Sequence, residues 1–213
     1  MTTAEQGPGD LPMCLSADLE GSFEQLMQAY QDRLYSFALR LSGNPQDAEE
    51  IVQDAFVRAY RALQGYPAGR IQALALRPWL YQISLNVFRN RVRGKRLRVV
   101  PIEDEGDDGA DRGPAAPERD RPEAAAAQAE LRDELAAQVA ALPARYRAAV
   151  VLRFIEGLSY AEVAQALAQP AGTVKANVHR GILELRRRML ARRGDDLRIS
   201  ANASEGEVVY GHA

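Results

Sequence analysis

Cysteine, histidine and long apolar runs are scarce in this chain, and each scarcity excludes a class of site. The single cysteine, Cys14, cannot form an internal disulfide, and no cysteine–histidine cluster has the spacing of a zinc site. The two histidines, His179 and His212, lie far apart in sequence. Because no run of about 18 apolar residues is present, we predict no membrane insertion. No metal site is predicted either.

The charge is small overall but strongly segregated along the chain. The net charge of −2 argues at first against a nucleic-acid partner. Residues 101–123, however, hold nine acids, three arginines and almost nothing apolar. Such a segment cannot bury enough surface to offset its ordering entropy, so we predict a flexible acidic linker over 99–123. The start, MTTAEQGPGDLPM, has no basic residue and no apolar core, so we expect no signal peptide and a cytoplasmic location.

Helical periodicity on both sides of the linker predicts an all-α chain of two small helical domains. From Ser22 onward, apolar residues recur every three or four positions. Asn44 followed by Pro45 predicts the start of a second helix, and a third begins near Arg77. The predicted divisions are a flexible N-terminus over 1–21, a first domain of three to four helices over 22–98, the linker, a second domain over 124–193 and a flexible tail over 194–213.

The second domain contains the pattern of a helix-turn-helix. Ser159 and Glu162 form a capping box that starts one helix, and Pro170 and Gly172 precede the next. Val163 and Leu167 are expected to face inward. The second helix is expected to bury Val174, Val178, Ile182 and Leu185, and to leave Thr173, Lys175, Ala176, Asn177, His179 and Arg180 on or near its outer face. Small and polar residues there suit entry into a DNA major groove, although a solvated basic face is the alternative.

The third helix carries a second cationic stretch. It contains Asn86, Arg89, Asn90, Arg91, Arg93, Lys95, Arg96 and Arg98. Cations, amides and aromatic rings together suit single-stranded nucleic acid, in which phosphates are neutralised and bases stack. Trp79 precedes this stretch, and its position favours a role in the core over a role in stacking on a base.

The second helix has a face that is mixed apolar and acidic. Ile51, Ala55 and Phe56 can face the core, which leaves Gln53 and Asp54 on another face. A solvated face is the ordinary explanation, and a docking surface for a partner is the alternative.

Three stretches together resemble the extracytoplasmic-function (ECF) sigma factors of the sigma-70 superfamily. They are DAEEIVQDAFVRAYRAL, RPWLYQISLNVFRNRVRGKR and LPARYRAAVVLRFIEGLSYAEVAQALAQPAGTVKANVHRGILELRRRM. The order, spacing and lengths are similar to sigma region 2 and sigma region 4 with a linker between. The resemblance covers about residues 22–96 and 125–190, and it rests on the combination, since a helix-turn-helix alone is a weak signal.

The resemblance implies a transcription initiation factor that binds core RNA polymerase and directs it to promoters. It implies contact with the polymerase clamp helices through Glu50, Ile51, Gln53 and Asp54. It implies −10 element recognition through Trp79, Asn86, Arg89, Asn90 and Arg93, and −35 recognition through Thr173, Lys175, Ala176, Asn177, His179 and Arg180. The region around Val150 to Phe154 would meet the polymerase flap. Members of the family are usually held inactive by an anti-sigma factor, which is therefore an expected partner.

Two positions depart from the family pattern. Asn177 stands where an arginine is common, which removes a bidentate donor worth about 1–3 kcal/mol if it faced a base. Gly181 stands where alanine is usual, and a glycine inside a helix lowers its stability by about 1 kcal/mol. Promoter preference therefore cannot be transferred from the family.

Two other classes of protein share parts of this pattern. A stand-alone helix-turn-helix regulator would bind an operator, as a dimer, and would not need the second helix for a partner. An enzyme acting on nucleic acid would need a paired-carboxylate metal site, an activated nucleophile or a phosphate loop, and the sequence predicts none of these. We therefore expect no catalytic activity and no cofactor.

Overall fold

A computed structural model describes residues 10–98, 131–132 and 134–205, and every regular element among them is helical. The all-α prediction is confirmed. The predicted linker over 99–123 lies outside the described residues. Residues 131–132 and 134–140 are helical and are called α6. The other elements are α1 (Leu11–Ala17), α2 (Leu19–Ser42), α3 (Pro45–Gln64), α4 (Ala68–Gln72), α5 (Leu76–Arg98), α7 (Ala144–Val150), a π-helical turn (Val151–Ile155), α8 (Tyr160–Leu167) and α9 (Ala171–Glu205).

The N-terminal segment is ordered from Asp10 onward, so the prediction of a flexible segment over 1–21 is wrong for residues 11–21. Leu11 and Leu15 lie one helical turn apart on α1, and both are buried where α1 packs on α2 and α4. Asp18 then caps α2 by accepting a hydrogen bond from the Gly21 backbone N–H at 3.0 Å. Burial of two leucines outweighs the polar, glycine-rich composition around them.

The first domain is a bundle of α2, α3 and α5 with α1 and α4 on its side. The predicted cap at Asn44 is confirmed, because its Oδ1 accepts from the Asp47 N–H at 3.0 Å. Phe37 and Tyr81 meet edge to face in the core, with ring centroids 5.0 Å apart. Ile51, Ala55 and Phe56 are buried, as the stripe on the second helix predicts.

The second domain contains the predicted helix-turn-helix. Gly157, at φ +69°, ends the π-helical turn, and the capping box of Ser159 and Glu162 then begins α8. Ala168, at φ 50°, ends α8 in the left-handed conformation. The helix α9 then continues to Glu205. The prediction of a flexible tail is therefore wrong for residues 194–205, which continue the helix. Residues 206–213 are outside the described part.

The two domains are in direct contact through α5 and α8, with further contacts of α2 to α7 and to the π-helical turn. Within the described residues, no helix combines the length and apolar character that crossing a bilayer requires. The same residues contain no group of three or more potential metal-binding side chains.

Gly181 lies where α9 packs closely on α7. A Cβ built at this glycine would lie 2.6 Å from Cγ2 of Val150 and 3.4 Å from Cβ of Tyr146. Val150 is buried and β-branched, so its methyl group can move aside only by leaving its preferred rotamer. The glycine therefore permits close packing of the two helices, which outweighs its low helix propensity.

We expect Gly181→Ala to destabilise the protein by about 1–3 kcal/mol, because the added methyl overpacks the α7–α9 contact. Helix propensity alone predicts the opposite sign, a gain of about 1 kcal/mol. Gly172→Ala in the same helix is the control, since a Cβ there meets no atom within 4 Å. Urea unfolding midpoints measure both variants, and a stabilised Gly181→Ala protein would contradict the packing argument.

Candidate nucleic-acid and partner interfaces

One face of α5 presents amides and arginines to solvent. Asn86, Arg89, Asn90 and Arg93 are all exposed, and their spacing of three and four residues places them on one side of the helix. Oδ1 of Asn90 accepts a hydrogen bond from Nη2 of Arg93 at 3.1 Å. The structure thus brings together four of the five residues predicted to contact the −10 element, and this set is called the α5 face below.

Trp79 does not belong to the α5 face. Only 7% of its surface is exposed, and its ring lies 6.3 Å from that of Tyr66. Its assignment to −10 recognition is therefore wrong for this conformation, and its alternative role as a core anchor is confirmed. Burial of a large ring between α5 and the loop before α4 outweighs any exposure for base stacking.

The N-terminal turns of α9 present a second polar face. Thr173, Lys175, His179 and Arg180 are exposed, and Ala176 is half-buried. Nζ of Lys175 lies 5.9 Å from the centroid of the Tyr160 ring on α8. The four exposed residues, called the α9 face below, agree with the predicted outer surface.

Asn177 and Ile182 are not where the sequence placed them. Asn177 is buried, and its Nδ2 donates to Oε1 of Gln169 at 3.2 Å, so the amide joins α9 to the turn before it. Its prediction as an outer-face residue is wrong. Ile182, predicted to be buried, is 40% exposed. Gly181 is the residue that packs closely against α7, so Ile182, the next residue along the helix, is exposed to solvent.

On α3, the four residues predicted to contact polymerase separate into two groups. Gln53 and Asp54 are exposed and Glu50 is half-buried, so all three are accessible. Ile51 is only 1% exposed, and its assignment to a partner surface is wrong because it belongs to the bundle core. The period of the helix places position 51 under the surface that positions 50, 53 and 54 form.

Arg91 on α5 contacts the acidic side chains of this surface, a role that the sequence did not predict. Its guanidinium pairs with Glu50, lies 3.8 Å from Oδ1 of Asp47 and lies 3.7 Å from Oδ2 of Asp54. It therefore faces α3 and not the side of the α5 face, although it belongs to the cationic stretch predicted to suit single-stranded nucleic acid. Three carboxylates on one side of α3 favour a cation opposite them, but the sequence does not indicate which cation it is.

An apolar groove runs beside Gln53 between α2 and α3. Its volume is about 470 Å³, and Val57 and Met27 within it are partly exposed. The groove is lined by Phe23, Met27, Gln31, Val52, Gln53, Phe56, Val57, Tyr60 and Arg61. The exposed polar residues on α3 thus border an apolar groove that could accept apolar side chains of a partner helix.

A second apolar groove, of about 520 Å³, is lined by residues of the second domain together with Arg40 of α2. Of the segment 150–154, Val150, Val151 and Leu152 are buried, so the prediction that this whole segment meets a partner is wrong for those three. Phe154 and the adjacent Ile155 are exposed and line the groove together with Ile182.

Carboxylates in the second domain have local structural partners. The Ser159 backbone N–H and hydroxyl lower the pKa of Glu162 below its ordinary value, because they bind its ionised form. Arg188 and Arg187 lower the pKa of Glu184 in the same way. Part of the positive charge in the later turns of α9 is therefore balanced within the helix. The net positive charge available to DNA phosphates is smaller than the number of arginines indicates.

Comparison with known proteins agrees with this two-part organisation. Residues 26–98 match the Sigma-70 region 2 family, and residues 132–185 match the Sigma-70 region 4 family. The chain is 39% identical over 166 residues to the ECF RNA polymerase sigma factor SigE of Mycolicibacterium smegmatis, covering 78% of this chain and 60% of that protein. It is 31% identical over 172 residues to SigW of Bacillus subtilis, covering 80% of this chain and 90% of SigW.

The fold is similar to that of a solved sigma factor. The structure of the sigma factor RpoE in complex with the anti-sigma factor NepR from Bartonella quintana matches with a TM-score of 0.57 and 26% identity, covering 78% of this chain and 94% of that one. The family matches, the SigW relationship and the observed helix order lead to one conclusion: the chain belongs to the extracytoplasmic-function sigma factors of the sigma-70 family.

Proposed function

We propose that this chain binds core RNA polymerase and directs it to promoters by reading a −10 and a −35 element with separate domains. The observation that carries the proposal is the pair of exposed polar faces, the α5 face and the α9 face, one on each domain. The chain contributes differences in binding energy and no bond-breaking chemistry. Because core polymerase is its working partner, the cytoplasm is its place of action.

The α5 face suits the melted strand of the −10 element. Arg89 and Arg93 neutralise phosphates, and the amides of Asn86 and Asn90 have both donors and acceptors for the edge of an extruded base. The α9 face suits the intact duplex of the −35 element. Helix α9 enters the major groove by its N-terminal turns, where Arg180 reads a base edge and Lys175 contacts phosphate.

Core polymerase binds through Glu50, Gln53 and Asp54 together with the groove between α2 and α3. The polar residues set orientation, and the apolar groove contributes buried area at the clamp helices. The second groove, with Phe154 and Ile155, binds the polymerase flap. A stand-alone regulator would have no use for these two grooves, which favours the polymerase-bound function.

We further propose that an anti-sigma factor controls this chain. The solved relative RpoE is bound to the anti-sigma factor NepR, and its fold matches this chain over both domains. The apolar grooves that bind polymerase are also available to such a protein, so the two partners would compete.

We expect Gln53→Ala combined with Asp54→Ala to weaken binding to core polymerase by at least tenfold, or about 1.4 kcal/mol. Single-round transcription in vitro should fall in parallel, while binding to a −35 duplex stays unchanged. The control is Glu20→Ala, which removes an exposed charge from the first turn of α2. Unchanged polymerase affinity in the double variant would contradict the docking assignment.

We expect Asn86→Ala to impair promoter melting by the holoenzyme, because the amide can no longer hydrogen-bond the extruded base. Permanganate reactivity of the −10 thymines should fall severalfold at unchanged −35 duplex affinity. Gln28→Ala, which removes an exposed amide on α2, should have no effect. Normal melting by the Asn86 variant would show that Asn86 does not take part in recognition of the −10 element.

Arg180 and Lys175 should respond differently to substitution. Arg180→Ala should cost about 1–3 kcal/mol at one −35 base pair and relax selectivity there, because base-edge contacts carry the sequence information. Lys175→Ala should weaken all sequences alike and reduce the salt slope by about one. Binding titrations over a set of single-base −35 variants at several salt concentrations separate the two. An equal loss on every sequence for Arg180→Ala would count against base reading.

A further inference from the structure

A polar pocket lies between α2, the start of α5 and the segment that ends the π-helical turn. Its volume is about 390 Å³, which falls within the range of about 300–1,000 Å³ that is typical of small-molecule sites. Three arginines and a serine line it, namely Arg33, Ser36 and Arg40 of α2 and Arg77 of α5. The other residues that line it are Asp32, Ile155 and Glu156. The two apolar grooves described above have no comparable concentration of cations.

Helix α2 presents its three donors to the pocket in one row. Ser36 follows Arg33 by three residues and precedes Arg40 by four, so the helical period places the three side chains on the same side. Arg33 and Arg40 are therefore two turns apart, or about 10 Å at the helical rise of about 1.5 Å per residue. The hydroxyl of Ser36 lies between their two guanidinium groups. Arg33 is exposed and the other two are half-buried, so solvent reaches the row.

The carboxylate of Glu156 is already occupied by other groups. Its Oε2 accepts a hydrogen bond from the hydroxyl of Tyr81, and its Oε1 lies 4.0 Å from Nη1 of Arg40. The backbone carbonyl of Glu156 accepts from Nη2 of Arg77. Arg33, in contrast, makes no hydrogen bond or ion pair with another residue that the structure describes. The pocket therefore contains a cation whose donors are available to a ligand.

The arginines of α2 and α5 act on the same part of the molecule. Burial raises the pKa of both Tyr30 and Tyr81, and the charges of Arg77 and Arg33 oppose that rise at each of the two phenols. Two cations that act on the same two hydroxyl groups lie close together, although they belong to different helices. Like charges at short range repel each other, and an anion between them removes that repulsion.

This pocket is separate from the α5 face. Arg77 precedes Asn86 by nine residues, which is two and a half turns of helix, so the two side chains point to opposite sides of α5. Nucleic acid held on the α5 face is therefore on the far side of the helix from the pocket. A dissolved anion, in contrast, reaches the pocket directly past the exposed Arg33.

We propose that this pocket binds a pyrophosphate group, free or as part of a nucleotide, through Arg33, Ser36, Arg40 and Arg77. Guanidinium groups match phosphate oxygens with paired, charge-assisted hydrogen bonds, and the row on α2 is long enough for two adjacent phosphates. Asp32 lies at the rim and is exposed, and its charge opposes an anion. The site is distinct from the DNA-reading faces and the two apolar grooves, so the inference does not depend on the proposed function.

The test titrates the full chain with sodium pyrophosphate in a calorimeter at constant ionic strength. We expect one saturable site. Arg33→Gln should weaken binding at least tenfold, because it removes the cation that has no other partner, and Ser36→Ala should weaken it severalfold. Asp32→Asn should tighten binding severalfold, because the carboxylate no longer repels the ligand. Arg33 is exposed, so its substitution should leave the fold intact.

Arg58→Gln is the matched control, since Arg58 is exposed on α3 and its loss changes the net charge by the same amount. This variant should bind pyrophosphate as the wild type does. Thermal unfolding provides a second measurement, because a ligand that binds only the folded state raises Tm. Pyrophosphate should raise the Tm of the wild type and of Arg58→Gln, with little effect on Arg33→Gln.

The possible outcomes separate a built site from general attraction of charge. Absence of saturable binding by the wild type overturns the inference, and so does an equal loss in Arg33→Gln and Arg58→Gln. Unchanged affinity in Asp32→Asn contradicts the assigned position. If single-stranded −10 DNA displaces pyrophosphate, the pocket takes phosphates of nucleic acid and the small-ligand assignment is wrong. A chain that binds pyrophosphate and never binds polymerase refutes the proposed function alone.

Discussion

The carboxylate of Glu156 must have partners wherever it is buried, and that requirement sets the relation between the two domains. Tyr81, Arg40 and Arg77 supply those partners from the first domain, at a boundary otherwise made by helix packing. Apolar contacts alone would allow the domains to slide or rotate, because hydrophobic association has no direction. Hydrogen bonds and ion pairs need defined geometry, and they give this boundary one arrangement.

The arginines of this chain have two different roles, which a count of charges along the sequence does not distinguish. Arg91 is surrounded by carboxylates of α3, and Arg147 caps the carbonyl end of α2 across the domain boundary. Burial lowers the pKa of Arg147, but the group remains a cation because an arginine pKa starts so high. Arg89 and Arg180 are exposed and available to nucleic acid. The helical period thus separates arginines that pair with other groups of the protein from arginines that are exposed and available to nucleic acid.

Two residues of α9, Gly181 and Asn177, fix the position of this helix against its neighbours. Gly181 allows α7 to approach, and buried Asn177 joins α9 to the preceding turn through Gln169. Both residues serve packing within this domain. The outer face therefore consists of Thr173, Lys175, His179 and Arg180, which is a smaller reading surface than the sequence alone predicted.

Much of this architecture follows from local chemistry and was predictable from sequence. Apolar periodicity indicated the helices, and Asn44 and the Ser159–Glu162 capping box marked two of their starts, because caps act within one turn. The exposed members of the α5 and α9 faces also follow from helical period. Tertiary structure alone decided that Asn177 is buried, that Ile182 is exposed, and that Arg91 is the cation facing α3. It alone decided that Glu156 meets Tyr81, 75 residues away in sequence, because pairing across a domain boundary depends on how whole helices pack and leaves no periodic signal in either segment.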